Sequence, residues 1–177
     1  MSELTQAHNY AILPFGDIMI KKDNACCFSG HRVIPSELLP AVTENLERII
    51  KNLIKDGICD FITGGALGFD ALAADIIIRL RHDFPQIRLI LALPCREQSS
   101  KWRASDRLRY DRHCRLADDI HILADEYDPG CMMRRNRFMV DNSSCCVFFL
   151  NRTNSGTYKT VSYAMENGLT LYNVLSD

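Results

Sequence analysis

From Ala25 onward, short β-rich apolar runs alternate with longer stretches of helical period, and turn chemistry marks every join. This alternation restricts the chain more than any other feature, because parallel strands need long crossovers and helices usually supply them. The runs cover residues 25–29, 58–63, 87–93, 120–123, 145–150 and 170–174. Between them, helices are expected over 36–56, from the glycines at 64–68 to Leu80, and over 101–116, 132–141 and 156–167. In the first helix Ser36 is placed to cap, and Leu39, Val42, Leu46, Ile49, Ile50, Leu53 and Ile54 form one stripe that Gly57 ends. Pro40 falls about four residues into that span, later than is ideal. The run 87–93 is apolar except for Arg88, as in a strand covered on both faces. The expectation is an α/β fold: one Rossmann-like three-layer domain over 25–177, with a mostly parallel sheet. Residues 1–24 fit the rhythm badly and are read as an arm, an extra strand at 18–20 or a swapped segment.

Composition narrows the function. The 177 residues balance 21 Lys and Arg against 22 Asp and Glu, which removes a bulk electrostatic drive toward nucleic acids or anionic membranes. No apolar run has the length of a membrane span, and residues 1–20 lack signal-peptide order, so a cytoplasmic protein is expected. Eight cysteines stand at 26, 27, 59, 95, 114, 131, 145 and 146 without CxxC spacing. The vicinal pairs lie in strands, where neighbours point to opposite faces, so the set is read as buried thiols, with no metal site. Cys95 alone is placed near a site, at a strand's carboxyl end.

Ligands of open parallel sheets bind where strands end and helices begin. There the chain carries Ser29, Gly30, His31 and Arg32; Gly64, Gly65, Ala66, Gly68 and Asp70; Pro94 and Gln98; and Ser155, Gly156 and Thr157. The glycines from 64 to 68 suit a phosphate held by backbone N–H groups and a helix dipole, though the spacing is not GxGxxG and a plain tight turn reads equally. Ser155-Gly156-Thr157 opens a second helix in the same way. Asp70 is placed either to accept from a ribose hydroxyl or to cap its helix. His31 and Arg32 are placed for phosphate contact or proton transfer, and His31 equally for a backbone-satisfied loop. Asn136 and Asp141 read as caps or as a site wall. Residues 96–115 hold seven basic residues (Arg96, Lys101, Arg103, Arg107, Arg109, Arg112, Arg115) against three acidic ones. That stretch reads first as a solvated helix face. No nucleophile elbow or paired-carboxylate site is evident.

Taken together, Cys26-Cys27-Phe28-Ser29-Gly30-His31-Arg32, Thr63 through Asp70, Leu93-Pro94-Cys95 with Gln98 and Trp102, Arg135-Asn136-Arg137 through Asp141, and Ser155-Gly156-Thr157 resemble the YpsA-like family of the SLOG superfamily, from about residue 25 to 175. The resemblance implies a Rossmann-like fold and a pocket for a nucleotide or nucleotide-derived ligand, with Asp70 toward ribose and Arg32 toward phosphate. A regulatory or sensing role would need only that pocket. The LOG relatives cleave nucleoside monophosphates with a PGGxGTxxE motif; here the glycine pair is missing and Thr160 stands in the place of the glutamate. An N-glycosidase with a rearranged acid/base, His31 or Asp70, is the second expectation. A nucleic-acid or protein-interaction module using 96–115 is the third. DprA-like members bind single-stranded DNA, but the acidic balance and the lack of an aromatic and basic stripe make nucleic acid an unfavoured partner here. The expected partner is a small nucleotide derivative, with no certain cofactor, no membrane, and a homo-oligomer left open.

Overall fold

The computed structural model of the protein describes residues 19–176. Six strands run in parallel: β1 (Ala25–Gly30), β2 (Asp60–Thr63), β3 (Arg88–Leu93), β4 (Asp119–Ile122), β5 (Cys145–Phe149) and β6 (Thr170–Asn173). Five helices connect them: α1 (Leu39–Lys55), α2 (Phe69–Leu80), α3 (Ala104–Leu116), α4 (Cys131–Asp141) and α5 (Gly156–Glu166). The strand order is β4-β3-β2-β1-β5-β6. The chain thus winds outward from β1 in one direction, returns through α4, and winds outward again from β5. The expected Rossmann-like α/β architecture is the one observed.

Two buried clusters show which helices lie on which face. On one, Val42, Leu46 and Ile50 of α1, Phe69, Ala73 and Ile77 of α2 and Tyr110 of α3 pack on Phe28, Phe61, Leu89 and Val147. On the other, Met139 and Val140 of α4 and Ala164 of α5 pack on Ala25, Ile62, Ile90 and Ala92. The alternation of side chains along each strand divides the apolar run between these cores. Arg88, the one charge in its run, sits in register opposite Asp60 and makes a two-pronged pair with it at 2.6 and 2.7 Å. That fork closes the amino ends of β2 and β3.

Two local expectations change. The first helix does not start at Ser36, whose hydroxyl lies 3.4 Å from Glu37 rather than on a helical N–H; Leu38 occupies the cap position with no side-chain bond. The later start moves Pro40 into the first positions of α1, where its missing N–H leaves no intrahelical bond unmade. The extra strand expected at 18–20 is absent at Met19 and Ile20, where a short 3-10 turn, Lys22–Asn24, leads into β1. The rest of the proposed arm lies outside the described residues. No helix among the described residues is long and apolar enough to cross a membrane.

The vicinal cysteines meet across the sheet: Cys26 is in register with Cys145 and Cys27 with Cys146. Cys26 and Cys145 belong to the first cluster, Cys27 and Cys146 to the second. Small apolar thiols fill the central strands on both faces; burial pushes the Cys26 thiol, and the neighbouring Cys27 thiol together with burial pushes the Cys146 thiol, well above their ordinary range. All eight are free, and only Cys59 and Cys114 are partly exposed. A thiol-labelling time course should therefore modify Cys59 and Cys114 alone in the folded protein, and all eight after denaturation. Rapid labelling of six or more under native conditions would contradict this packing.

Candidate functional site

The strand order reverses between β1 and β5, and the crevice over their carboxyl ends is where ligands of such sheets bind. His31 follows β1 and is 4% exposed. Its Nε2 accepts the Asn151 N–H at 3.3 Å, and its ring stands edge-on to Phe149 at 5.7 Å. Burial first, and then the nearby Arg152, lower its pKa. The imidazole is therefore neutral, with the proton on Nδ1, and it ties the two loops that flank the reversal. Ser29, at the end of β1, is buried. A Cβ at Gly30 would collide with the Phe69 ring, so the start of α2 lies directly on β1. Gly68, at φ +73°, lies against the His31 and Arg32 carbonyls, and the Phe69 N–H donates to His31 O at 3.1 Å.

The glycine loop after β2 is built around Gly64. Its N–H donates to Asp70 Oδ2 at 3.0 Å, while its carbonyl accepts from Arg135 Nη1 at 2.6 Å. Arg135 comes from α4 and Asp70 from α2, so the two peptide groups that meet at Gly64 are held between two charges from opposite helical layers. The charges themselves are 3.6 Å apart and both buried. A Cβ at Gly64 would occupy the place of Arg135 Nη1. Gly65, at φ +60°, donates its N–H to Thr63 Oγ1 at 3.3 Å and accepts from Gln98 Nε2 at 2.7 Å. Burial raises the Asp70 pKa, opposed by Arg135, by the N–H groups of Ala66 and Gly64, and by Arg32. Burial likewise lowers that of Arg135, with Asp70 opposing.

This geometry revises two expectations. The N–H groups of Gly64 and Gly65 are not presented to a phosphate, because Asp70 and Thr63 already take them. Asp70 braces the loop from inside and does not stand free for a ribose hydroxyl.

The second helix start is different. Ser155 caps α5 by accepting the Tyr158 N–H at 3.1 Å, which leaves the Gly156 and Thr157 N–H groups without a protein acceptor. Space around Gly156 is open, with nothing within 4 Å of a Cβ built there, whereas Thr157 is buried. Asn136 donates to Thr160 Oγ1 at 2.7 Å, and Thr160 in turn donates to Gly156 O at 3.0 Å, so α4 supports the first turn of α5. Pro94 and Cys95 are buried at the end of β3. Asp141 lies elsewhere: it ends α4 at the amino edge of the sheet and accepts from Tyr163 at 3.0 Å.

The carboxyl edge thus gathers Ser29, Gly30, His31, Arg32, Gly64, Gly65, Ala66, Gly68, Asp70, Pro94, Gln98, Ser155, Gly156 and Thr157, with Asn136 behind them and Asp141 apart. Reasoning from sequence passed over Arg135 as a site residue, although it interrupts the buried stripe Cys131, Arg135, Met139 at i, i+4 and i+8. A charge within an apolar stripe is the signal that marks it. Among the described residues no group of three or more His, Cys, Asp or Glu is placed to hold a metal ion.

Comparison with known proteins bears on the family and the fold. The model of the YspA SLOG family matches residues 36–172. The SPbeta prophage-derived protein YoqJ of Bacillus subtilis is 32% identical over 139 residues, which cover 71% of this chain and 81% of that protein. A UPF0398 protein of Macrococcus caseolyticus is 29% identical over 129 residues, covering 69% and 70%. Among solved structures, DNA processing protein A (DprA) of Streptococcus pneumoniae superposes with a TM-score of 0.58 at 17% identity, over 87% of this chain and 50% of that one. The same protein from Helicobacter pylori, described for its single-stranded DNA binding mode, gives 0.61 at 17% identity, over 87% and 66%. At such identities the likeness concerns the fold.

Removing one member of a buried ion pair leaves the other charge uncompensated, so Arg135→Ala should destabilise the protein by about 3–5 kcal/mol in urea unfolding. The double variant Asp70→Asn/Arg135→Met should cost clearly less than that single change. His31 supplies a pH test. Its folded pKa lies below the ordinary 6.5, so its contribution is complete above that value and is lost as pH falls through 6.5 toward the folded pKa, where the unfolded chain takes up the proton more readily. His31→Gln should flatten the stability profile in that window and leave its alkaline side unchanged.

Proposed function

The chain belongs to the YspA SLOG family, and we propose that it binds a nucleotide or nucleotide-derived small molecule across the carboxyl edge of its sheet, in a regulatory or sensing role. One observation carries this reading: at the carboxyl edge the amino end of α5 is open at Gly156, Arg152 stands near His31, and Arg32 and the buried Arg135 stand near Asp70. Asp70 is committed to the loop, which leaves the local potential positive. A phosphate is the fitting occupant, accepting from the Gly156 and Thr157 N–H groups and from Arg32. The anion thus sits at the second helix start and not on the glycine loop. Eight reduced thiols fit a cytoplasmic site of action.

Thr160 supports binding over cleavage. Its hydroxyl is buried between Asn136 and Gly156 O, where a LOG-type enzyme needs a carboxylate. The fold shared with DprA favours a second reading, single-stranded nucleic acid. Against it, Arg109 and Arg112 of α3 are drawn onto Asp75 at 2.6 and 3.2 Å and Arg96 onto Asp125 at 2.9 Å, so part of the basic run is already neutralised.

Calorimetry with a panel of nucleoside monophosphates, dinucleotides and cyclic nucleotides tests the proposal. Binding by the wild type is expected, and Gly156→Asp, which has room for its side chain, should weaken it by roughly ten-fold or more through charge repulsion at the helix end. Arg32→Ala should act in the same direction. No binding by the wild type, or unchanged binding in both variants, sinks the pocket. Release of free base would favour the glycosidase reading, and an oligonucleotide mobility shift that survives about 200 mM salt would favour the nucleic-acid one.

A further inference from the structure

The sheet has two outer strands, β4 and β6, and their free edges are finished differently. In β4 the Ile120 N–H, which points away from β3, is taken by Asp119 Oδ1 at 2.8 Å, and Asp119 pairs with His121, so charge guards that edge. β6 carries no charged residue. Thr170 and Val174 turn their N–H groups inward to Ser144 and Phe148. The alternation between them leaves the N–H and carbonyl of Leu171 and the N–H of Asn173 pointing outward, with no partner among the described residues. Such a row is a template for another strand.

A groove of about 150 Å³ runs beside this edge between α1 and β6, with Ile49, Leu53 and Tyr172 as its apolar lining and Arg48, Asn52 and Asp56 along its rim. The order of the rim decides what fits it. Asn45 of α1 donates to Val174 O at 3.0 Å, which fixes the helix against the strand. From that bond, strand rise carries Leu171 about 10 Å toward the amino edge, and helical rise carries Asn52 about as far, so the two are level. Arg48 and Asp56 stand about 6 Å to either side of Asn52 along the helix. Neither is in an ion pair among the described residues; Arg48 makes only an exposed contact with Asn45 at 3.2 Å. Opposite charges at equal distances from one centre are matched by their own image turned through half a circle.

We propose that a second copy of this chain docks on β6, antiparallel, about a two-fold axis at Leu171. The two Leu171 residues exchange both backbone hydrogen bonds and set their side chains together on one face of the sheet, while on the other face Tyr172 of each copy meets Thr170 of its mate. The six-stranded sheet becomes one of twelve. Over the join, Arg48 of each α1 faces Asp56 of the other, and the two Asn52 amides meet at the axis. A strand of unrelated sequence would take the backbone bonds without answering both charges.

Sedimentation equilibrium on the full chain should give a dimer with a Kd of roughly 10 μM or tighter. Arg48→Asp sets like charges together twice across the axis, as does Asp56→Arg, and each alone should weaken the dimer by roughly ten-fold or more. Mixing the two variants returns every facing pair to attraction, so the mixture should dimerise about as tightly as the wild type. A change confined to one chain cannot produce that recovery. Leu171→Pro removes the outward N–H while leaving the β5–β6 ladder whole, and it too should favour the monomer. A wild type that is monomeric at roughly 100 μM overturns the proposal and leaves β6 to a foreign strand. A dimer indifferent to all three substitutions joins by another surface, and a mixture no tighter than its components rules out the two-fold arrangement. Should Leu171→Pro fail to fold, the charge variants and their mixture decide.

Discussion

The backbone of Gly64 is held on both sides by ions: its N–H by the Asp70 carboxylate, its carbonyl, in the next peptide group, by the Arg135 guanidinium. Burying either charge alone would cost several kcal/mol, and at 3.6 Å their mutual contact is looser than a hydrogen bond. The Gly64 backbone between them supplies the missing geometry. It satisfies one lone pair of the carboxylate and one proton of the guanidinium, and it joins α2 on one face of the sheet to α4 on the other. The rest of the edge depends on this clamp. Glycine is required at 64 because Arg135 fills the space of a side chain, and the neighbouring N–H of Gly65 turns inward to Thr63.

With the glycine loop internally satisfied, the edge has a division of labour. The loop after β2 is a structural joint, rigid because each of its first polar groups has a partner. The start of α5 is the reverse: capped by Ser155, supported through Thr160 by Asn136, and open where Gly156 stands. His31 links the two halves across the strand reversal while remaining neutral, so it adds no charge of its own. In the proposed site a chain with almost balanced charge would draw its positive potential locally, from a helix end and a few arginines, without a basic surface.

Much of this architecture could be read from the residues. The strands appeared within a residue or two of their observed limits because β-rich runs bounded by turns leave few alternatives, and the stripe of α1 matched its buried face except at Leu39, which opens the helix and is exposed. The start of α1 was misplaced because a serine in a favourable position outweighed a proline whose demand was stronger. The vicinal cysteines were read as buried, but their pairing across β1 and β5 depends on register, which a single strand's pattern does not contain. The site residues were legible as loops and not as bonds. Asp70 and Arg135 lie far apart in the chain, and whether Asp70 faces ligand or loop is decided by an arginine that only the folded chain brings to it. Asp141 was grouped with Asn136 by proximity in sequence, yet helical rise alone carries it toward the opposite edge of the sheet.

The same contrast bears on the structural likeness to DprA. A doubly wound sheet places a crevice at its strand reversal whatever the ligand, so a shared fold at 17% identity transmits the position of a site and little of its chemistry. Chemistry resides in which groups remain unspent once the fold has satisfied its own. In this chain the expected donors, the glycine N–H groups, are consumed, and so is the expected ribose acceptor, Asp70. What remains unspent is the amino end of α5 and the exposed side chain of Arg32. Both lie beside the strand reversal, at the ends of β5 and β1. The likeness to DprA therefore locates the edge where a ligand would bind, and the proposed anion site rests on the donors that this chain alone leaves open there.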